Sequence, residues 1–307
     1  MKILVTGGAG FIGSHIVDGY IGLGHKVIVV DNLSSGNKDF VNNKAIFYKA
    51  DIRDRAAIEN IIKIENPEII NHHAAQISVR VSAENPILDA QINILGLLNL
   101  LESGRKKHVK KFIFASSGGV VYGEAKKLPT PEDYQPLKPL SPYGITKLAS
   151  EYYLSFYYQT YKIPYIALRY SNVYGPRQNP HGEAGVVAIF INKLLNSDTP
   201  VINGDGKQTR DYIYIQDVVE ANKKALEAKS IGVFNIGTGI ETDVLNLFDG
   251  LQKTIGSKII PHHGPAKIGE QRRSCLDTAL AKDILGWQAK IHLSEGLKKT
   301  AEYFKNL

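Results

Sequence analysis

Short, evenly apolar runs alternate with longer segments of helical spacing through the first half of the chain. The runs at 2–6, 26–30, 45–50, 68–71, 111–115 and 163–170 are too short for core helices and lack a polar face. That pattern marks strands of a parallel sheet covered on both sides. Between them, the segment from about residue 11 to Gly22 and the one around 89–103 have helical periodicity, the latter carrying Asn93 on an otherwise apolar face. At least six strands alternating with helices predict an α/β fold built on a doubly wound parallel sheet.

Beyond Asn172 the pattern loosens. Residues 173–182 are turn-rich, a helix is expected at about 186–196, and short strand-like pieces follow at 200–203, 210–215 and 232–236. Helices near 244–255 and 293–304 close the chain. Residues 1–172 are therefore expected to form one large domain, joined by strands near 210–237, and 173–307 a smaller α+β lobe interleaved with it. There is no internal repeat and no low-complexity tract.

Composition narrows the class of protein. With 307 residues, 43% hydrophobic and 22% charged, the chain can bury a sizeable globular core. The single cysteine, Cys275, excludes an internal disulfide, and the chain opens directly on a strand with no room for a signal peptide, so a cytoplasmic location is expected. No apolar run is long enough to span a bilayer, so no membrane association is expected. A net charge of +7 favours anionic ligands, but the cations are scattered and the cluster at 105–111 lacks aromatics, which argues against nucleic acid.

Candidate chemistry gathers where the expected strands end. The turn Gly7-Gly8-Ala9-Gly10-Phe11-Ile12-Gly13 lies between strand and helix, where glycines let a pyrophosphate approach the backbone of a helix N-terminus. The spacing is Gly-x-x-Gly-x-x-Gly. Asp31 ends the second strand, where an acid accepts hydrogen bonds from ribose hydroxyls and repels a 2′-phosphate, favouring NAD over NADP in a Rossmann-like fold. Asp51 and Ile52 follow the third strand at the expected adenine, and His73, Ala74, Ala75 and Gln76 follow the fourth. Tyr143 and Lys147 stand four apart on a helix opened by Ser141 and Pro142. An ammonium beside the phenol is expected to lower its pKa from about 10, towards that of a base usable near neutrality. The pairs His72-His73 and His262-His263 point to opposite faces if extended, and no ligand spacing suggests a metal.

Together these residues resemble the extended short-chain dehydrogenase/reductase superfamily, within it the NAD-dependent sugar-nucleotide epimerases and dehydratases. The similarity covers essentially the whole chain. Thr6 to Gly13 resembles the cofactor turn, Tyr143-x-x-x-Lys147 the active-site pair, and Ser116 to Gly123 the segment bearing a third active-site group. Leu168 to Gly175 resembles the strand bordering the substrate, and Thr209 to Tyr212 the segment contacting the diphosphate. The resemblance implies bound NAD held by Gly7, Gly10, Phe11, Ile12, Gly13, Asp31, Asn32, Ser34, Ser35, Gly36, Asp51, Ile52, His73, Ala74, Ala75, Gln76, Asn93, Ser116, Tyr143, Lys147 and Tyr170. It implies a UDP-sugar held by Ser117, Tyr143, Asn172, Val187, Arg210, Lys267, Glu270 and Ser274. It also implies a homodimer formed by the aromatic-rich helix after Tyr143.

The similarity is nearest to members that invert C4 of UDP-glucose and UDP-galactose. There, Tyr143 takes the proton of the sugar's O4 while C4 is transiently oxidised, and Lys147 keeps the tyrosine acidic. Three positions depart from the family pattern. The Ser or Thr expected four residues before Tyr122 is Gly118; Ser117 is the catalytic hydroxyl expected in its place, with Ser116, a bound water or Tyr143 acting alone as the alternatives. Gly119 and Val120 stand where dehydratases carry an acid pair, which disfavours elimination of water. Lys267 replaces an arginine, and Asn203 an aromatic that stacks on uracil. Ser274, three before Asp277, resembles a small gate at C2 that admits N-acetyl groups. Competing expectations are a UDP-glucuronate epimerase or decarboxylase using Arg80 or Arg177, a 4-keto-sugar reductase, and a non-catalytic NAD- or RNA-binding descendant.

Overall fold

The computed structural model describes residues 1–181, 185–266 and 271–307. Strands β1 (Lys2–Thr6), β2 (Lys26–Asp31), β3 (Ile46–Lys49), β4 (Ile69–His72), β5 (Lys111–Ser117) and β6 (Tyr165–Tyr170) form a parallel sheet, which a later strand, β10 (Gly232–Ile236), completes. Its order is β10-β6-β5-β4-β1-β2-β3. The chain winds one way from β1 through β3 and the other way from β4 onward. A crevice therefore opens between the carboxyl ends of β1 and β4, where Thr6 lies opposite His72.

Helices cover both faces of this sheet. One face is packed by α2 (Arg55–Glu65), α5 (Gly96–Lys106) and α7 (Pro142–Tyr161), through residues such as Ile58, Leu97, Leu101 and Leu154. The other is packed by α1 (Phe11–Gly22) and α9 (Ile215–Glu227), which approach so closely that a Cβ on Gly19 would lie 2.6 Å from Val219. Helix α9 has no place among the sequence expectations because its N-cap, Tyr214, makes no side-chain capping bond. Its apolar stripe, from Val218 to Leu226, was the available signal.

Two further departures concern the segment after β4. Helix α3 (Val79–Glu84) precedes α4 (Pro86–Ala90), which Asn85 caps by accepting from Leu88 N. The helix expected around 89–103 is then interrupted by a π-helical turn, Gln91–Leu95, before α5 begins. A short α6 (Gly118–Val121) follows β5 directly.

The remaining elements are β7 (Asn172–Tyr174), α8 (Val186–Leu195), β8 (Val201–Asn203), β9 (Thr209–Tyr214), β11 (Glu241–Asp243), α10 (Val244–Ile255), β12 (His262–Gly264), α11 (Ala279–Leu285) and α12 (Leu293–Lys305). Strands β11, β9 and β7 make a three-stranded sheet, and β12 pairs with β8. Tyr174, Phe190, Leu247, Phe248 and Leu251 belong to one hydrophobic cluster with Ile3, Val5 and Ile16, so the small lobe shares its core with the large sheet.

A buried polar chain braces the active-site side of the sheet. Arg169 on β6 donates from Nε and Nη2 to Glu151 on α7, at 2.9 and 2.6 Å, and both side chains are at most 5% exposed. Arg169 Nη1 donates to Tyr122 Oη, which donates to Asn235 Oδ1 on β10. Asn235 Nδ2 in turn reaches the carbonyls of Thr130 and Asp277. Leaving one partner of a buried pair uncompensated costs about 3–5 kcal/mol. Chemical denaturation of Glu151→Gln should show a loss of that order, and a change below about 1 kcal/mol would mean the pair is not a structural tie.

Candidate active site

The glycine turn after β1 is shaped by contacts that admit no side chain. Gly7 has φ +69°, and a Cβ there would lie 2.6 Å from Ala74 N; one on Gly13 would lie 2.1 Å from Gly7 O. Gly10 caps α1 without a side chain, so the first-turn amides keep their positive end towards the crevice. Phe11 and Ile12 anchor that turn by packing into the core below. Asp31 accepts from Ala9 N at 3.0 Å and Leu33 N at 2.8 Å, which holds its carboxylate at the end of β2 beside the turn. Gly36 packs against Ala9, while Asn32, Ser34 and Ser35 are exposed along the rim.

Asp51 lies across from Asn32, whose Nδ2 donates to it at 3.0 Å, and Arg53 holds its carboxyl well below the usual carboxylate range. An open cavity of about 430 Å³ lies between Asp51, Arg53 and Asp54 on one side and Gln91 and Leu95 on the other. Ile52, expected at the adenine, turns its side chain inward. Its side chain is 5% exposed and fills the hollow left by Gly96, so only its backbone can meet a ligand.

On the opposite wall, Thr6 Oγ1 accepts from the backbone N–H groups of His73 and Ala74. The two histidines diverge as their extended positions predict: His72 bonds Thr6 Oγ1, and His73 bonds the Tyr170 hydroxyl, over which its ring stacks. Burial lowers the His73 pKa to about 3, so the ring is neutral, and its sealed Nδ1 has no partner among the described residues. Ala75 continues this wall. Gln76 and Asn93 bond each other twice through side chain and backbone, and Asn93 Nδ2 also donates to Asp89. The glycine cradle, the acid on β2 and the orphaned His73 nitrogen fit a dinucleotide.

Ser141 Oγ caps α7 by accepting from Gly144 N, and Pro142 occupies its first turn. Tyr143 and Lys147 follow one turn apart. Lys147 is 4% exposed; its Nζ donates to Ala115 O at 2.7 Å and lies 5.7 Å from the Tyr143 ring centre. The expected lowering of the Tyr143 pKa is absent. Burial pushes the phenol upward, a Ser117 hydrogen bond opposes that, and Asp89 pushes it higher. Lys147 is lowered to about 8, by burial, against the opposing pull of Asp89 and Glu151.

Ser117 is thus the hydroxyl that meets Tyr143. Ser116, expected at the cofactor, turns the other way along β5, where its hydroxyl donates to Glu151 in the core. Gly118 also acquires a reason: a Cβ there would lie 2.5 Å from Leu276, which occupies the space a larger residue would need. A Cβ on Gly119 would meet Asn172 Oδ1 and Ser117 Oγ, at 3.8 and 3.9 Å, so both side chains border the same space.

Towards the small lobe, Arg210 lies on β9 opposite Thr242, and Ser274 N donates to Thr209 O, so Arg210 and Ser274 are neighbours. Ser274 is 4% exposed. Lys267 and Glu270 lie outside the described residues. Val187 does not line a ligand site with its side chain, which is 1% exposed within the core. Sequence reasoning missed Asp89, Thr146 and Leu276, and also Asp211, which is fully buried and accepts from Thr238, Gly239 and Leu276. The Thr-Arg-Asp-Tyr segment had contained Asp211 in plain view.

Residues 3–237 match the model of the NAD-dependent epimerase/dehydratase family. The chain is 44% identical to the UDP-glucose 4-epimerase of Mycolicibacterium smegmatis, over 100% of this chain and 99% of that one. Among solved structures, the UDP-glucose 4-epimerase of Thermotoga maritima with UDP-glucose is 51% identical, with a TM-score of 0.98 over 100% of this chain and 99% of that one. The Thermus thermophilus UDP-glucose 4-epimerase in complex with NAD is 41% identical, with a TM-score of 0.94 over 99% of each chain. The chain belongs to the NAD-dependent epimerase/dehydratase family.

Overpacking a filled site costs about 1–3 kcal/mol. Gly118→Ser should lose stability in that range, and adding Leu276→Ala should recover part of it. Strictly additive losses in a denaturation double-mutant cycle would refute the steric account.

Proposed function

We propose that the protein is a UDP-sugar 4-epimerase acting on UDP-glucose and UDP-galactose, and on UDP-GlcNAc and UDP-GalNAc. The observation that carries this reading is Tyr143 one helical turn from the buried Lys147, with Ser117 close enough to influence the phenol, beside the switch-point crevice. Residues 1–172, with strands near 210–237, hold the cofactor, and 173–307 hold the sugar nucleotide. When bound, NAD supplies the hydride acceptor and a positive ring charge. Tyr143 Oη takes the proton of the sugar's O4 as C4 is oxidised and returns it after the keto sugar has turned over. Ser117 steadies the developing oxygen charge, and Lys147 offsets the negative phenolate. Arg210, with Lys267 and Glu270, grips the nucleotide diphosphate and ribose.

Two rivals are weaker on specific observations. Gly119 and Val120 offer no acid pair for dehydration. A uronate enzyme needs a cation at C6, yet Arg177 is tied to Asp18 on α1 at 2.8 Å and Arg80 stands on α3, 3.7 Å from Glu84. The exposed Tyr152, Phe156 and Ile145 on α7, with Ile87 and Leu95 nearby, support a homodimer closed over this face. No helix among the described residues is long and apolar enough to cross a membrane. The one buried cysteine suits a cytoplasmic enzyme.

Incubating the protein with each UDP-sugar, without added reductant, should interconvert C4 epimers in both directions; unchanged sugars in every case sink the proposal. Ser117→Ala should lower kcat by about 10²–10³-fold, and Tyr143→Phe by at least as much. Ser274→Tyr should abolish turnover of the N-acetylated pair while sparing the other, and equal loss on both pairs would remove Ser274 from the specificity role. Sedimentation should show a dimer, and a pure monomer at all dilutions would remove the α7 face from assembly.

A further inference from the structure

Asp89, on α4, is fully buried and makes no salt bridge among the described residues. Its Oδ1 accepts from Gln76 Nε2 at 2.9 Å and Asn93 Nδ2 at 3.0 Å, and its Oδ2 accepts from Thr146 Oγ1 at 2.8 Å. All three donors are neutral. The π-helical turn after α4 brings Asn93 into this set, and Asn93 sits within 3.3 Å of Thr146 as well. Thr146 stands between Tyr143 and Lys147 on α7, and its hydroxyl also reaches Tyr143 O at 3.0 Å. A charged carboxylate is thus clamped to the turn of helix that carries the reacting pair.

We propose that Asp89 is a positioning residue that, through Thr146, holds the Tyr143–Lys147 turn of α7 in place and sets an unmatched carboxylate beside it. The inference rests on the epimerase reading of the same site. It follows from a balance of charges around Lys147. Glu151, further along α7, is matched by Arg169, so that pair brings almost no net charge. His72 and His73, at the end of β4, are held neutral by burial. On β5 the ammonium meets the Ala115 carbonyl and the Phe114 ring, neither charged. Of the other elements packed on α7, α3 presents the exposed Arg80–Glu84 pair and α5 the Glu102–Arg105 pair, each internally matched. Among the described residues, Asp89 is therefore the carboxylate acting on the lysine that no cation matches. Burial alone drives a lysine neutral, and a nearby carboxylate opposes that.

Asparagine at this position isolates the charge from the contacts. Its Oδ1 can accept from Gln76 and Asn93, and its Nδ2 can donate to Thr146 Oγ1, whose proton then serves Tyr143 O. Asp89 raises the pKa of Lys147 and of Tyr143 alike, so removing its charge should lower both. The two titrations that bound activity then fall together, and both limbs of the bell move the same way.

The test is the pH dependence of kcat on the UDP-sugar turned over best, for the wild type, Asp89→Asn and Thr146→Val. Asp89→Asn should displace the whole bell towards acid by about one pH unit, while Thr146→Val, which keeps the charge, should lower kcat with the optimum in place. An optimum unmoved or moved towards base in Asp89→Asn overturns the assignment. So does an acid shift in Thr146→Val, an arm that stands even if Asp89→Asn fails to fold. A wild type inactive on every UDP-sugar removes the epimerase reading itself, whereas an active wild type with an unshifted Asp89→Asn removes only the role of Asp89.

Discussion

The fold's demands converge on one ammonium group kept out of water. Lys147 is nearly sealed, and the desolvation of a charge in such a place amounts to several kcal/mol unless neighbours offset it. The structure meets that demand with the Ala115 carbonyl at the end of β5, the Phe114 ring beneath, and carboxylates on two sides. These groups come from a strand of the central sheet, from α4 and from α7 itself. The site is therefore only as well placed as the sheet is well packed.

The same constraint explains why polar groups run so deep. Glu151, buried on α7 near Lys147, is paired with Arg169 from the next strand. Arg169 then draws in Tyr122, and Tyr122 draws in Asn235, whose amide fastens the loop carrying Leu276 and Asp277. Substrate-side and cofactor-side elements are joined by one continuous set of hydrogen bonds. On the far side of the crevice a second set, Tyr20–Asn71–Asn222–Tyr170–His73, links α1, β4, α9 and β6 beneath the glycine turn.

Much of this was legible in the chain. Parallel strands covered on both sides must be apolar throughout, so the first six could be placed without their partners. The glycines were readable because strand, turn and helix follow in order, and Ser141-Pro142 announced α7 by cap and first turn. The hydroxyl on Ser117 could be expected from the family resemblance, but its separation from Ser116 could not. That depended on which face of β5 each side chain takes, which register in the sheet decides. Val187 and Ile52 illustrate the converse, residues expected at a ligand whose side chains the core claims.

What the sequence by itself determined was the layered α/β architecture, the cofactor turn, and the tyrosine–lysine pair, because each depends on local spacing and composition. What only the tertiary structure decided was the electrostatic state of that pair. Phenol and ammonium four residues apart suggest a lowered tyrosine pKa, yet desolvation is a property of everything packed around the group, and here burial and Asp89 reverse the sign. Gly118 was likewise unreadable without Leu276, a residue distant in the chain whose methyl groups take the volume that glycine leaves. Local rules place groups along an element, but volume and charge balance belong to the surroundings, and those exist only once the chain has folded.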